Sequence, residues 1–448
     1  MASSRQALGN GNVVVAFVFL VFQVGIFLGW QHLSIHGSTC LQNLSSYRRA
    51  DPTHQAPTVV KVFEEKRGSS DNKNDGNVEN GERSNNNEPE LGGVVPRAFD
   101  SWPKDRPLPC DVAEERWWHL LVQRSPAQRG YLFVKEMKTG SSTIGGVVLR
   151  IARNVAKRLH PNQTQACRAR VDHSSGVVMQ YGKRKPQESF LFTVLREPSR
   201  RMVSQFFHFQ VSREKSEPTD RNFLKYMHER PYLYDYYLRD LQLDERLQSV
   251  MVQYTAASME PEKLDKLRRM TANRIIQDYD FIGITERLDE SLVVMQMLLG
   301  LRTTDMVYVK AKGSGGFDDG AFNSTCVYIV KSFVSQGMKQ YFSSSEWQSW
   351  SQGDIWLYQA ANRSLDLTID RLGRSNFERK LGDFRRAMQI TEQRCNIKDM
   401  RLPCSPGGVR APNYSSHKID STDCLWLDSG CGYKCIDEIS PEIESMLS

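Results

Sequence analysis

The chain has 448 residues, a formal net charge of +7, 40% hydrophobic residues and nine cysteines. This length and apolar content provide a sizeable hydrophobic core, which excludes a chain that is disordered throughout. The positive charge is modest and spread along the chain, so it permits anionic ligands but does not require nucleic acid as a partner.

The first predicted element is an uncharged apolar run at residues 13–30, interrupted only by Gln23. It is long enough for a membrane-spanning helix of about 20 residues. It exceeds the apolar region of a cleaved signal peptide, which is typically about 7–15 residues long. We therefore expect a cytoplasmic tail at residues 1–12 and a transmembrane signal anchor at residues 13–30. A cleaved signal peptide is the alternative.

A lumenal stem, largely disordered, is predicted at residues 31–105. Residues 66–90 consist mainly of Asn, Ser, Gly and charged residues. They bury too little apolar surface to offset the entropy lost on ordering. Five acceptor sequences for N-glycosylation agree with a lumenal location. These sites are Asn43, Asn162, Asn323, Asn362 and Asn413.

The cysteines cluster near the C-terminus, where five of the nine lie at residues 395–448. In an oxidising compartment this clustering indicates disulfides within a cysteine-rich C-terminal extension at residues 396–448. Cys431 and Cys435 have a C-x3-C spacing, so a zinc site is the alternative, although no paired ligand motif accompanies them. Cys40 lies close to the membrane and is the candidate for a disulfide that links two chains into a homodimer.

The first chemically informative segment is a predicted strand at residues 131–134 that runs into a Lys-Thr-Gly-Ser-Ser-Thr turn at residues 138–143. A helix is predicted to follow at residues 144–156. In such a unit, backbone N–H groups and the positive helix end converge on a phosphate, and Lys138 adds a full charge. The residue order differs from the Walker A loop, which argues against ATP. A turn that binds nothing is the alternative.

Further along the chain, strands alternate with helices. Residues 189–195 are a continuous apolar run, typical of a parallel strand covered on both faces, and residues 280–284 form a third predicted strand. We predict helices at residues 202–211, 232–258, 261–276 and 286–299. This alternation predicts an α/β domain at residues 106–395, with a central, mainly parallel sheet flanked by helices.

The second chemical feature is Arg196, which follows the strand at residues 189–195. Open α/β sheets bind ligands beyond the carboxyl ends of their strands, and the planar fork of arginine suits phosphate oxygens. Ser204 lies about two turns further on, where its hydroxyl can bind the same group. The alternative is that Arg196 pairs with a carboxylate and Ser204 faces water. Two anion sites on two strands favour a nucleotide phosphorylated at both ends.

These motifs resemble those of a known family. The segment Phe-Val-Lys-Glu-Met-Lys-Thr-Gly-Ser-Ser-Thr at residues 133–143 resembles the 5′-phosphosulfate loop of Golgi carbohydrate sulfotransferases. Arg-Glu-Pro-x-x-Arg-x-x-Ser at residues 196–204 resembles their 3′-phosphate motif. Together with residues 281–295 and 305–310, they resemble the galactose 3-O-sulfotransferase family, which includes the galactosylceramide sulfotransferases. The resemblance covers about residues 128–395.

The resemblance implies a P-loop-like sulfotransferase fold and the donor 3′-phosphoadenosine-5′-phosphosulfate, with no metal. The positions that match the 5′-phosphosulfate loop are Lys135, Lys138, Thr139, Gly140, Ser141, Ser142 and Thr143. Arg196 and Ser204 match the positions that bind the 3′-phosphate. Lys138 is the implied catalytic lysine, because it is placed to stabilise charge on the bridging oxygen during transfer.

A hydroxyl acceptor also needs a base, and His173 is the candidate. It lies between the two phosphate motifs, where related carbohydrate sulfotransferases place a catalytic histidine, and an imidazole accepts protons near neutral pH. His208 is expected instead to pack inside a helix. Glu136 departs from the family pattern, because a negative charge beside an anion site is unexpected unless the side chain points outward.

The resemblance implies a Golgi membrane protein of the single-pass type II topology, with its catalytic domain in the lumen. The implied acceptor is the 3-hydroxyl of galactose on a glycan or glycolipid. A related enzyme that sulfates the 2-hydroxyl of a uronic acid is one alternative, and a non-catalytic, glycan-binding lumenal protein is another. A kinase is disfavoured by the absent Walker A order and by the lack of an obvious carboxylate for Mg²⁺.

Overall fold

The computed structural model describes residues 91–114, 128–161, 165–254, 259–310, 313–318, 326–395, 404–405, 407–410 and 432–448. The predicted cytoplasmic tail and signal anchor, most of the predicted stem, and Cys40 lie outside these residues. Within the described ranges, no helix is both long enough and apolar enough to cross a membrane.

A four-stranded parallel sheet forms the centre of the fold. Its strands are β2 (Gly130–Val134), β4 (Ala169–Asp172), β5 (Ser189–Leu195) and β6 (Phe281–Ile284), in the order β4-β2-β5-β6. Every residue of β2, β5 and β6 is buried, as expected for parallel strands that are covered on both faces. The prediction of an α/β fold with a parallel sheet flanked by helices is confirmed.

The register of the sheet places four strand ends side by side. Val134 at the end of β2 pairs with Asp172 of β4 and with Thr193 of β5. The same parallel pairing joins β5 to β6. The residues that directly follow the four strands are His173, Lys135, Arg196 and Thr285. We refer to this side of the sheet, defined by these four residues, as the carboxyl edge.

Helices cover both faces of the sheet and continue along the chain. They are α1 (Ser141–Leu159), α2 (Pro198–Phe206), α3 (Asp220–His228), α4 (Tyr236–Asp240), α5 (Glu245–Tyr254), α6 (Pro261–Asp278), α7 (Leu288–Leu299), α8 (Thr303–Met306), α9 (Gln336–Phe342), α10 (Ser345–Leu372), α11 (Arg374–Arg394) and α12 (Tyr433–Leu447). A π-helix, Phe207–Arg213, continues α2. The long α10 packs against α6, α4 and β6 and so closes one side of the core.

Two short antiparallel pairs accompany the parallel sheet among the described residues. The first joins β1 (Val112–Glu114) to β3 (Gln165–Cys167). The second joins β7 (Phe317–Asp318) to β8 (Val327–Tyr328). Both pairs lie outside the parallel sheet, so they contribute no strand ends to the carboxyl edge.

The helix predicted at residues 232–258 is interrupted in the structure. It contains a 3-10 turn (Pro231–Leu233), the short α4 and then α5. The break at Asp235 has a tertiary cause: this residue adopts a left-handed φ of 43°, and its carboxylate binds Arg268 Nε at 2.6 Å. A contact with a distant helix therefore overrides the local helical preference.

The segment at residues 91–105, which the sequence assigns to the stem, packs against the core. Phe99 is fully buried and its ring contacts that of Phe281, with centroids 5.6 Å apart. Arg97 donates hydrogen bonds to the carbonyls of Ile276 and Tyr279. The folded part of the chain thus begins before residue 106.

Within the part of the chain that the structure describes, three disulfides join Cys110 to Cys167, Cys326 to Cys404 and Cys395 to Cys435. They confirm the prediction of disulfide bonds, and two of them tie the cysteine-rich C-terminal extension to the rest of the domain. Cys435, considered above as a zinc ligand, is bonded to Cys395. Its predicted partner in that site, Cys431, lies outside the described residues.

One predicted glycosylation site lies within the described part of the chain. Asn362 sits in the middle of α10, where its Oδ1 accepts a hydrogen bond from Arg287 Nη1 at 2.9 Å. The serine of the same acceptor sequence, Ser364, is fully buried, and its hydroxyl donates to the carbonyl of Ala360. Both residues that a glycosylation enzyme reads are therefore engaged in the packing of α10.

Candidate functional site

The connection from β2 to α1, residues 135–140, holds the first half of the Lys-Thr-Gly-Ser-Ser-Thr turn predicted at residues 138–143, and the second half of that turn opens α1. We refer to residues 135–140 as the loop. Lys138 and Gly140 both adopt left-handed backbone conformations, with φ values of 65° and 75°. Glycine accepts this conformation readily, whereas it costs a lysine free energy and is typical of functional loops. After this sharp turn, α1 begins at Ser141, and its first turn contains no acidic residue. The positive end of the helix dipole therefore lies at the carboxyl edge, and no carboxylate in the first turn neutralises it.

Side chains from two neighbouring strand ends bind the backbone of this loop. Arg196 Nη1, after β5, donates to the carbonyl of Lys138 at 3.2 Å. The hydroxyl of Thr285, after β6, donates to the carbonyl of Thr139 at 2.8 Å. The backbone of the loop is therefore held by two side chains, one from each neighbouring strand end.

His173, the predicted base, lies at the same edge. Its Nδ1 is 2.8 Å from the carbonyl oxygen of Lys135. A carbonyl only accepts hydrogen bonds, so Nδ1 carries the proton and Nε2 is the proton-accepting nitrogen of the neutral ring. The His173 side chain is exposed. The structure thus places an oriented, accessible imidazole beside the loop that carries Lys138.

Arg196 itself is fixed by contacts on both its backbone and its side chain. Its N–H donates to the hydroxyl of Tyr237 at 3.1 Å, and that hydroxyl donates to its carbonyl at 2.9 Å. Its Nε lies 3.9 Å from Glu286 Oε1. Burial lowers the pKa of Arg196, while Glu286 raises it; a guanidinium remains charged in either case. The carboxylate pairing considered as an alternative is present, but the side chain stays 28% exposed.

Glu136 points inward rather than outward. Its side chain is only 2% exposed and receives a hydrogen bond from the hydroxyl of Tyr236. Burial, followed by repulsion from Asp240, raises the pKa of Glu136 well above its usual range, and Arg201 opposes this shift. The raised pKa favours the neutral acid. A neutral, buried carboxyl does not oppose anion binding, which removes the conflict that the sequence posed.

The remaining predicted site residues differ in exposure. Lys135 is only 3% exposed, and Thr139, Ser141 and Thr143 are also buried. Ser142 is half-buried, and Ser204, on α2 two turns after its start, is half-buried as well. The loop therefore presents outward mainly Lys138, Gly140 and Ser142 together with its backbone. His208 is buried and accepts a hydrogen bond from Arg213 Nε at 3.3 Å, which confirms that it packs inside a helix.

Sequence reasoning missed three contributors to this edge. Thr285 and Glu286 directly follow β6, so the rule that selected Arg196 after β5 would also have selected them. Tyr237 lies far along the chain, in a segment predicted only as helix. No local signal marks Tyr237, because its role comes from the packing of α4 beneath the edge.

Comparisons of the chain with protein-family models, with curated proteins and with solved structures found no match. The structure itself shows an α/β protein whose carboxyl edge brings together the loop after β2, the N-terminus of α1, an arginine after the adjacent strand and a histidine bound to the carbonyl of Lys135.

Proposed function

We propose that this protein is a sulfotransferase that transfers the sulfuryl group of 3′-phosphoadenosine-5′-phosphosulfate to a sugar hydroxyl of a glycan or glycolipid. One observation carries the proposal: Arg196 Nη1 binds the carbonyl of Lys138 at 3.2 Å. This contact joins two anion-binding elements on adjacent parallel strands. A nucleotide with phosphates at both its 5′ and 3′ positions requires such a paired site, whereas a triphosphate does not.

The two halves of the site have distinct roles in this proposal. The backbone of residues 138–143 and the N-terminus of α1 bind the 5′-phosphosulfate, because N–H groups and the helix dipole favour an anion there. Arg196 binds the 3′-phosphate through its remaining N–H donors, and Ser204 adds a hydroxyl from α2. The resemblance at residues 133–143 and 196–204 assigns which half takes which phosphate.

The transfer step follows from these placements. The acceptor oxygen forms a bond to sulfur while the bond from sulfur to the bridging phosphate oxygen breaks. Lys138 and the N-terminus of α1 stabilise the negative charge that develops on the leaving oxygen. Nε2 of His173 takes the proton of the acceptor hydroxyl, and the carbonyl of Lys135 stabilises the resulting imidazolium through Nδ1–H. Adenosine 3′,5′-bisphosphate leaves as the second product.

The finer assignments belong to the same proposal. A P-loop-like sulfotransferase fold is supported by the strand–loop–helix unit of β2 and α1 beside β5. A Golgi location with a lumenal catalytic domain is supported by the three disulfides, since such bonds persist in oxidising compartments. The 3-hydroxyl of galactose is the acceptor that the resemblance favours.

The test uses the full-length chain with ³⁵S-labelled donor and a panel of galactose-terminated glycans, galactolipids and uronic-acid glycans. We expect transfer to a galactose acceptor, and a loss of about a hundredfold or more in Lys138→Ala, because a preorganised charge at the leaving oxygen is removed. His173→Ala should lose rate as well, whereas Lys434→Ala, at an exposed site on α12, is the matched control. Absence of transfer to every acceptor, or full activity of Lys138→Ala, would overturn the proposal.

A further inference from the structure

We propose that Glu136 is a positioning residue that links the phosphate loop to Arg196 through α4, so that the two halves of the nucleotide site are set together. This inference rests on the proposed function, because it assigns the 5′ half of the site to the loop and the 3′ half to Arg196. Four contacts carry it, and they run continuously beneath the carboxyl edge.

The first two contacts involve Glu136 itself. Its backbone carbonyl accepts a hydrogen bond from the hydroxyl of Thr139 at 3.0 Å, which closes the loop on itself. Its side chain turns away from the loop, is only 2% exposed and binds the hydroxyl of Tyr236 on α4. Its Oε2 is buried and has no hydrogen-bond partner among the described residues. The backbone of Glu136 is therefore part of the loop, and its side chain lies among the residues packed beneath the loop.

The third contact passes from α4 to Arg196. Tyr237 is adjacent to Tyr236 in a helix of five residues, and the two rings lie 5.9 Å apart. The Tyr237 hydroxyl both accepts from the N–H of Arg196 and donates to its carbonyl. Because α4 is so short, a displacement of Tyr236 is transmitted to Tyr237 and then to the backbone of Arg196.

The fourth contact holds the two tyrosines in place. Arg201, on α2, is 1% exposed, and its guanidinium lies 4.2 Å from the ring centre of Tyr236 and 5.1 Å from that of Tyr237. Cation–π contacts of this kind gain strength when both groups are desolvated. On the other side, the Asp354 carboxylate accepts the N–H of Tyr237 at 3.2 Å. The start of α4 thus has little freedom to move independently of Arg196.

A residue that only filled space under the loop would be apolar, because a buried polar group costs free energy unless it is hydrogen-bonded. Glu136 instead provides a carboxyl where the loop meets α4. Its removal should therefore weaken recognition of the 3′-phosphate, although Glu136 lies on the 5′ side of the site. If the removal of Glu136 disturbed only the loop, it would weaken by the same factor the binding of nucleotides with and without a 3′-phosphate.

The experiment compares two nucleotides on the full-length protein by isothermal titration calorimetry. Adenosine 3′,5′-bisphosphate and adenosine 5′-monophosphate share the 5′-phosphate, so the ratio of their affinities reports the contribution of the 3′-phosphate. We expect this ratio to fall about tenfold in Glu136→Ala and in Tyr237→Phe, because each variant loses a hydrogen bond that connects the loop to Arg196. Glu136→Gln keeps an acceptor for Tyr236, so its ratio should stay within about twofold of the wild type.

The outcomes separate the inference from the function on which it rests. If the ratio of the two affinities is unchanged in Glu136→Ala, the positioning role is overturned and the proposed function is not. If Glu136→Ala does not fold, an unchanged ratio in Tyr237→Phe has the same meaning. Equal losses in Glu136→Gln and Glu136→Ala would overturn it too, because the acceptor would then be irrelevant. A wild type that binds neither nucleotide would overturn the proposed function and this inference together.

Discussion

The carboxyl edge of the sheet and the C-terminal helix α12 are attached to the domain by different kinds of bonds. At the carboxyl edge, the side chains of Arg196 and Thr285 bind carbonyls of the loop at residues 135–140 through hydrogen bonds. Helix α12 is attached covalently, through the disulfide between Cys395 and Cys435. The hydrogen bonds fix the direction of individual groups, whereas the disulfide fixes only the proximity of α12 to the end of α11.

An ion pair adds to the covalent link at α12. Arg150, which is 2% exposed, binds Asp437 at 3.2 Å and also donates to the carbonyls of Thr304 and Val307. None of these groups is at the carboxyl edge. The contacts that attach α12 are therefore separate from those that orient groups at the carboxyl edge, and the two sets can be broken one at a time.

The largest expected effect concerns α12. Replacing both Cys395 and Cys435 with serine should lower the free energy of unfolding by about 3–4 kcal/mol, because the disulfide closes a loop of 40 residues. Guanidinium denaturation measures this loss. Affinity for adenosine 3′,5′-bisphosphate should stay within about twofold at temperatures where the variant is folded. A folded variant that no longer binds the nucleotide would show that the two regions are not separate.

The second prediction concerns nucleotide binding instead of stability, and the change is made at Arg196. Arg196→Lys keeps the charge but loses the planar fork, so it should weaken binding of adenosine 3′,5′-bisphosphate by about 2 kcal/mol, or roughly thirtyfold. The unfolding midpoint should change little. Arg200→Lys is the matched control, because Arg200 is exposed on α2, four residues further along the chain. Wild-type affinity in Arg196→Lys would contradict a direct phosphate contact.

A pH series tests the layer beneath the carboxyl edge. Burial, together with repulsion from Asp235, raises the pKa of Asp354 to about 7. The folded state then holds this proton more tightly than the unfolded state, so stability is present at low pH and is lost as pH rises from about 4 to 7. Asp354→Asn should flatten this part of the urea-unfolding profile by more than about 1 kcal/mol. An unchanged slope in the variant would assign the pH dependence to another group.

The smallest expected effect is at Thr285. Thr285→Val removes one hydrogen bond to the carbonyl of Thr139 and keeps the shape of the side chain, so it should weaken nucleotide binding by about 1 kcal/mol. Thr303→Val, near the start of α8 and away from the carboxyl edge, is a matched control. Calorimetry on both variants measures the difference. Equal effects in the two would show that the contact does not position the loop.

The sequence predicts the sheet better than it predicts its surroundings. The strands at residues 131–134 and 189–195 are apolar on both faces, so composition alone identifies them as β2 and β5. The edge strand β4 carries Arg170 and Asp172 and gives no such signal. The break of the helix at Asp235 depends on Arg268, which lies 33 residues away. Local propensity does not contain this contact.

The same distinction applies to the site. Lys138 and Arg196 could be predicted because they follow strands, and parallel strands bring their ends to one edge. The inward direction of Glu136 could not be predicted, since it depends on Tyr236 from a helix 100 residues later. The tautomer of His173 is likewise set by a backbone carbonyl that no motif records.

The position of Asn362 has a consequence for the maturation of the protein. Its amide oxygen is bound to Arg287, and the partner serine, Ser364, is buried in α10. The Ser364 hydroxyl, which a glycosylation enzyme must reach, is therefore enclosed once α10 has packed. Glycosylation at this site would have to precede the packing of α10, so a sugar found on Asn362 would mark chains that were modified before α10 docked.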